Sequence, residues 1–196
     1  MLLLRKPSAQ AIQKFLEEQR THVLTYTPGE ANDLPPVGFA VDHTRIKLGN
    51  GTTIFTTARS ALENWQQFHL GWLEAFPSTT PICEGENISV VVRSLGLWIL
   101  NACRIVRTFD EEGKFGFTYA TLPGHVEMGE ERFLIQRDDE GNIWYDILAY
   151  SRPRHPLARL GYPYARRLQK RFGRESAERM LKLANSDWGE AISSFQ

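Results

Sequence analysis

The residue types best suited to chemistry gather in one short stretch. His125 follows the Pro123-Gly124 turn, and Glu127, Glu130 and Glu131 come soon after it. An imidazole titrates near neutrality and a neighbouring carboxylate orients its proton, which is the make-up of a general acid–base pair. Alternate residues of a strand share a face, so His125 and Glu127 can meet, with Glu131 as a further acid–base candidate. Glu130 joins them only through a bulge, and Gly129 is suited to one. The plainer alternative is a histidine at a strand start, bonded to backbone or water.

The same side chains are hard metal ligands, but no second histidine stands at ligand spacing, so no metal is expected. Cys83 and Cys103 have no His/Cys cluster around them and read as two reduced thiols rather than a zinc pair. Cys103 lies in an apolar run, where a thiol packs as a small hydrophobe. There is no Gly-x-Ser-x-Gly elbow. Gly49-Asn50-Gly51 lacks the lysine of a phosphate loop and reads as a turn. No cofactor is expected.

A second set suits recognition of an apolar ligand. Tyr119 and Tyr145 each pair a ring with one hydroxyl, and Phe117, Asn101 and Arg104 lie in the same strand-rich region. Arg104, if buried, needs a partner such as Glu131 or a ligand carboxylate. Otherwise it snorkels outward.

These residues must be positioned by the following elements. Ser8 caps a short helix carrying Ile12, Phe15 and Leu16 on one face. Residues 26–38 are loop by composition, a lid or a linker. A strand from Phe39 to Leu48 precedes a helix capped near Thr56 or Thr57, with Ala58, Ala61, Leu62, Trp65 and Phe68 at helical spacing. Pro77, Pro81 and Gly85 break the next segment. Strands then follow from Asn87 to Ser151 with short polar turns, the pattern of an antiparallel meander. Lys114 to Thr121 alternates most clearly. The last element is a long helix from Arg154 or His155, with Pro156 in its first turn, a stripe of Leu157, Leu160, Tyr164, Leu168 and Phe172, and a bend at Gly161 and Pro163. A further helical stretch runs from Glu175 to Ala184.

The order predicts one α+β domain: a curved antiparallel sheet of about six strands wrapped on a long C-terminal helix, the START-like helix-grip arrangement. Residues 1–38 form an extension, 39–184 the domain and 185–196 a tail. Small inward residues such as Ala149 and Ala120 fit a hollow under the helix, or close helix packing.

Longer runs carry a resemblance. Tyr119-Ala120-Thr121-Leu122-Pro123-Gly124-His125-Val126-Glu127, Gly129-Glu130-Glu131-Arg132-Phe133-Leu134 and Trp144 through Pro153 resemble the signature runs of uncharacterised protein family 0548 of bacteria and plants. Leu97-Trp98, Asn101 to Arg104 and Leu160 to Pro163 are similar too. The resemblance spans Val41 to Phe172. It implies a START-like domain and no activity, substrate or catalytic residue.

Composition narrows the function classes. The chain has 196 residues with 23 Lys plus Arg and 23 Asp plus Glu, a formal net charge of zero that argues against a nucleic-acid binder. The apolar start, Met1 to Leu4, is too short for a signal-peptide core, and no run reaches a membrane span, so a cytoplasmic protein is expected. Between Arg152 and Arg174 there are many Arg and Lys and no Asp or Glu. Arg166, Arg167, Lys170 and Arg171 could touch an anionic membrane surface, or form a solvated face paired with Asp138 to Glu140.

Three functions stay open. The first is a carrier or binder of a small apolar molecule such as a lipid, isoprenoid or pigment. The second is a cyclase- or hydrolase-type enzyme using His125 with a nearby glutamate and Tyr145. The third is an interaction module acting through the basic helix.

Overall fold

The computed structural model describes residues 1–26, 37–154 and 161–186. In chain order these form β1 (Leu2–Leu3), α1 (Ala9–Gln19), β2 (Ala40–Asn50), α2 (Thr52–Glu63), β3 (Leu73–Phe76), β4 (Asn87–Ser94), β5 (Leu97–Glu111), β6 (Lys114–Thr121), β7 (Glu127–Arg137), β8 (Asn142–Pro153) and α3 (Tyr162–Ala184). All pairings are antiparallel, in the order β2-β8-β7-β6-β5-β4-β3, with β1 on the start of β5. The expected meander is β4 to β8. The first long strand, β2, returns to pair with the last, from Ala40 opposite Ser151 to Asn50 opposite Asn142. The sheet curls around α3, and this is the helix-grip fold.

The two faces of the sheet have separate cores. On the concave face Trp65, Phe68, Phe117, Tyr119, Phe133 and Phe172 pack together under α2 and α3. On the convex face Ile12, Phe15 and Leu16 of α1 pack on Val91, Leu100, Ala102 and Leu122. Strand β4 is therefore covered on both sides, which explains the unbroken burial from Ile88 to Val92 in place of alternation. Ser8 caps α1 as expected, accepting from the Ala11 N–H at 3.2 Å.

Several boundaries differ from those expected. Helix α2 begins at Thr52, directly after Gly51 with φ of 93°, and not near Thr56 or Thr57. It ends at Glu63. Trp65 takes the left-handed conformation and a 3-10 turn over Gln66–Phe68 follows. Both rings still reach the core, so the apolar stripe persists across the break. β1 and β3 were not anticipated, because two and four residues are too few to show a period. No bulge occurs at Gly129, where the β7–β8 register runs unbroken. Glycine stands there because an added Cβ would lie 1.8 Å from the Tyr150 carbonyl oxygen. The register shifts instead between Lys47 and Gly49 and between Ile105 and Arg107.

Helix α3 is continuous from Tyr162 to Ala184. Gly161 and Pro163, expected to bend it, are its N-cap and part of its first turn, where a missing N–H is no loss. The expected start at Arg154 or His155, with Pro156, Leu157 and Leu160, falls largely outside the described residues. So do most of the 26–38 loop and the tail from residue 187. No helix among the described residues is long and apolar enough to cross a membrane.

Helix α3 is strapped across the sheet along its length. Arg166 pairs with Asp42 of β2, and Trp72 Nε1 donates to Glu175 Oε2 at 2.7 Å. The Tyr145 and Ser176 hydroxyls meet at 3.0 Å, and Asn185 Nδ2 donates to the Leu48 carbonyl at 2.7 Å. Closest approach falls at Gly173, where a Cβ would stand 2.6 Å from Thr44 Oγ1.

Candidate functional site

The space between sheet and helix is solid at one end and hollow at the other. Toward α2 the inward positions are large aromatics that interlock: Phe133 lies 5.2 to 5.6 Å, centroid to centroid, from Phe117, Phe68 and Tyr119. Toward the start of α3 the inward positions shrink to Ala149, Ser151 and Thr121 on the sheet and Ala165 and Gly173 on the helix. The result is a cavity of about 870 Å³, with Val90, Val92, Leu97, Ile99, Ile147 and Leu168 among its apolar walls. That volume sits within the range of small-molecule sites.

Polar groups cluster on the β2–β8–β7–β6 side. Tyr119 donates to Glu131 Oε2 at 2.6 Å, the two residues facing each other across β6 and β7. A second chain runs along the wall: Arg166 forks onto Asp42 and donates to Gln169 Oε1 at 2.7 Å, and Gln169 Nε2 donates to Glu127 Oε2 at 2.6 Å and to Ser151 Oγ at 2.9 Å. Glu127 Oε1 is buried and meets no partner among the described residues.

Burial dominates the titration of these groups. It pushes the Glu131 carboxyl up to about 7, and Asp42 and Glu127 add to the rise while the Tyr119 hydrogen bond opposes it. Part of Glu131 remains open, and that part faces the cavity rather than bulk water. Burial also raises Glu127, against the pull of Arg166 and Gln169. His125 moves the other way, pushed down to about 4 by burial and by the positive N-terminus and Arg154. Its Nδ1 stands 3.0 Å from the Glu127 backbone nitrogen and 3.1 Å from the Glu127 carbonyl oxygen, so the ring is held by backbone.

The structure sorts the residues singled out from the sequence. Asn101, Tyr119, His125, Glu127 and Glu131 line the cavity. His125 meets the Glu127 backbone, not its carboxylate, so the expected imidazole–carboxylate pair is not formed. With the imidazole held near 4, Glu131 is the carboxyl of the cavity lining raised to near neutrality. Three residues lie elsewhere. Arg104 is on the convex face, bonded to Asn87 and to the carbonyls of Gln19, Arg20 and His22 at the end of α1, and not to Glu131. Phe117 is in the aromatic floor, and Tyr145 spends its hydroxyl on Ser176.

Of the four basic residues assigned to a membrane surface, Arg166 faces inward to Asp42. Arg171 stacks on Trp72 at 4.5 Å and bonds Glu175 at 2.7 Å. The expected partners Asp138 to Glu140 are engaged in their own turn, Asp138 with Asn142 and Trp144. Arg167 and Lys170 stay exposed.

Sequence reasoning missed Asp42, Ser151 and Gln169. The signal was present in α3: Arg166, Gln169, Gly173 and Ser176 recur at spacings of three and four, so a polar pair sits on the inward stripe.

A pH-dependent stability follows. A carboxyl raised on folding contributes stability that is present below its unfolded value and lost as pH rises through about 7. His125, lowered on folding, contributes the opposite slope between about 4 and its ordinary value, so the two partly cancel in the native protein. The difference between native protein and Glu131→Gln isolates the first. The variant is expected to gain roughly 3 kcal/mol relative to native between pH 4.5 and pH 8. Urea unfolding at both pH values checks this, and an unchanged difference would show that Glu131 ionises freely.

Residues 24–179 match the family described as "Domain of unknown function (DUF1990)", a wider span than the Val41 to Phe172 resemblance. A UPF0548 protein of Dictyostelium discoideum is 36% identical over 95% of this chain and 97% of its own length. A UPF0548 protein of Arabidopsis thaliana is 35% identical over 80% of this chain and 79% of its own. Among solved structures, a hypothetical protein from Helicobacter pylori superimposes with a TM-score of 0.54 at 8% identity, covering 83% of this chain and 99% of that one.

Proposed function

This chain belongs to the family of the DUF1990 domain and the UPF0548 proteins, and from that premise, which brings no activity with it, we propose that it binds a small, largely apolar molecule between the sheet and α3. The observation that carries the reading is the cavity itself. A protein interior packs to the density of organic crystals, so an opening of about 870 Å³ with apolar walls between sheet and helix is room for a bound molecule. Small residues such as Ala149, Ser151 and Thr121 on the sheet and Ala165 and Gly173 on the helix, beside interlocked aromatics in the other half, leave that space open.

Native mass spectrometry of the protein purified from its own host, before and after solvent extraction, tests the reading. The expected result is a discrete excess mass that extraction removes. A bare sequence mass, even after incubation with a total lipid extract, would defeat it.

An enzymatic reading rests on a specific observation as well. Glu131 titrates near neutrality and shares a hydrogen bond with Tyr119 inside the cavity, a pairing suited to moving a proton on a bound molecule. Identification of the extracted molecule decides whether it carries a proton Glu131 can take.

A further inference from the structure

The charge balance of the cavity wall restricts what can occupy it. Among the described residues, three carboxyl groups line the inner wall, Asp42 from β2 and Glu127 and Glu131 from β7, and the guanidinium bonded to this wall, Arg166 from α3, is not itself part of the lining. Arg166 is committed to Asp42 by a two-pronged pair. The cationic side chains of the lining, Arg45, Lys170 and Arg174, are exposed at the rim, as is Glu178, and Glu130 sits half-buried at the edge. His125 is neutral and bonded to backbone. The groups that face Glu131 are Tyr119 from β6, Cys103 from β5, Tyr145 from β8, Asp42 and Glu127, none of them a cation. Tyr119 occupies Oε2 of Glu131, which lines the cavity, and Glu127 Oε1 is a buried acceptor without a partner among the described residues.

We propose that the cavity selects a lipophilic cation, a protonated amine on an apolar body, with its ammonium between Glu131 and Glu127. This rests on the binding reading above and names the ligand class. In the empty site burial raises both glutamates, with Asp42 adding to the rise of each and Glu127 to that of Glu131. A bound ammonium donates its N–H groups to the two carboxyl groups. A carboxylate ligand would add a third like charge to a low-dielectric wall and is excluded.

Calorimetry on the delipidated full chain with three matched probes, decylammonium, decanol and decanoate, each below its micellar concentration, tests this. Decylammonium is expected to bind about tenfold or more tighter than decanol, with decanoate weakest. Its affinity rises from pH 6 to pH 8 as Glu131 gives up its proton, while that of decanol does not. Glu131→Gln brings decylammonium down toward decanol and leaves decanol binding in place. Glu127→Gln, and the pH series on the native chain, read the same preference if Glu131→Gln folds poorly. Decanoate binding as tightly as decylammonium, or decanol binding with no preference for the amine, overturns the inference and leaves the binding reading standing. Failure of all three probes to bind overturns both.

Discussion

Phe133→Ala is expected to cost about 3–5 kcal/mol of folding stability, the largest loss of any single truncation in the concave core. The ring is fully buried. It is the point where sheet, turn and helix meet: Phe117 and Tyr119 on the neighbouring strand, Phe68 from the 3-10 turn, and Phe172 from α3 with its ring centroid at 6.2 Å. Removing it takes away transfer energy and leaves a void that four rigid rings cannot close by rotamer changes alone. The void also adjoins the cavity, whose lining includes Phe68, Tyr119 and Phe172, so water gains a path to the floor. Urea unfolding should show the midpoint fall with little change in slope. A loss below about 1.5 kcal/mol would mean that the aromatic floor relaxes into the space, and that the boundary between solid and hollow halves is soft.

How far the sequence revealed this molecule depends on whether local or long-range information was needed. Strand β6 runs from Lys114 to Thr121 as expected, because Phe115, Phe117 and Tyr119 alternate with small residues, although both of its faces are buried. The meander from β4 to β8 followed from short turns that leave neighbour pairing open, whereas the return of β2 to β8 is a long-range pairing that no turn dictates. Helix ends were less legible. Trp65 keeps helical spacing although the helix has ended, since its left-handed backbone returns the ring to the same core. The site itself was half legible. Tyr119, His125, Glu127 and Glu131 were singled out as residue types, yet their pairing depends on register: Glu131 meets Tyr119 because β6 and β7 align those two positions, and no local pattern states that alignment. The arginines show the limit most clearly. Arg104 and Arg166 carry the same side chain, and the sequence gives no local reason for the first to clamp α1 from outside and the second to reach Asp42 inside.

Ala149→Trp is expected to abolish ligand binding, by at least about a hundredfold, while the protein stays folded. Ala149 stands on β8 between Asp42 and Glu131 in the ladder, on the inward side shared by Ile147 and Ser151. Its methyl group faces empty space, so an indole there meets the cavity before it meets a packed neighbour. Overpacking a filled core costs about 1–3 kcal/mol, but a side chain placed in a void gains contacts that the void had forfeited. The melting temperature should therefore hold within a few degrees of native or rise. Native mass spectrometry of the variant should show the bare mass where the native chain carries its ligand. Retained binding with the fold intact would place the ligand outside the space under α3. A collapsed fold would show that this half of the sheet is more tightly packed than its small residues imply. The two failures differ in the melting curve, so the test separates a misplaced site from a misjudged cavity.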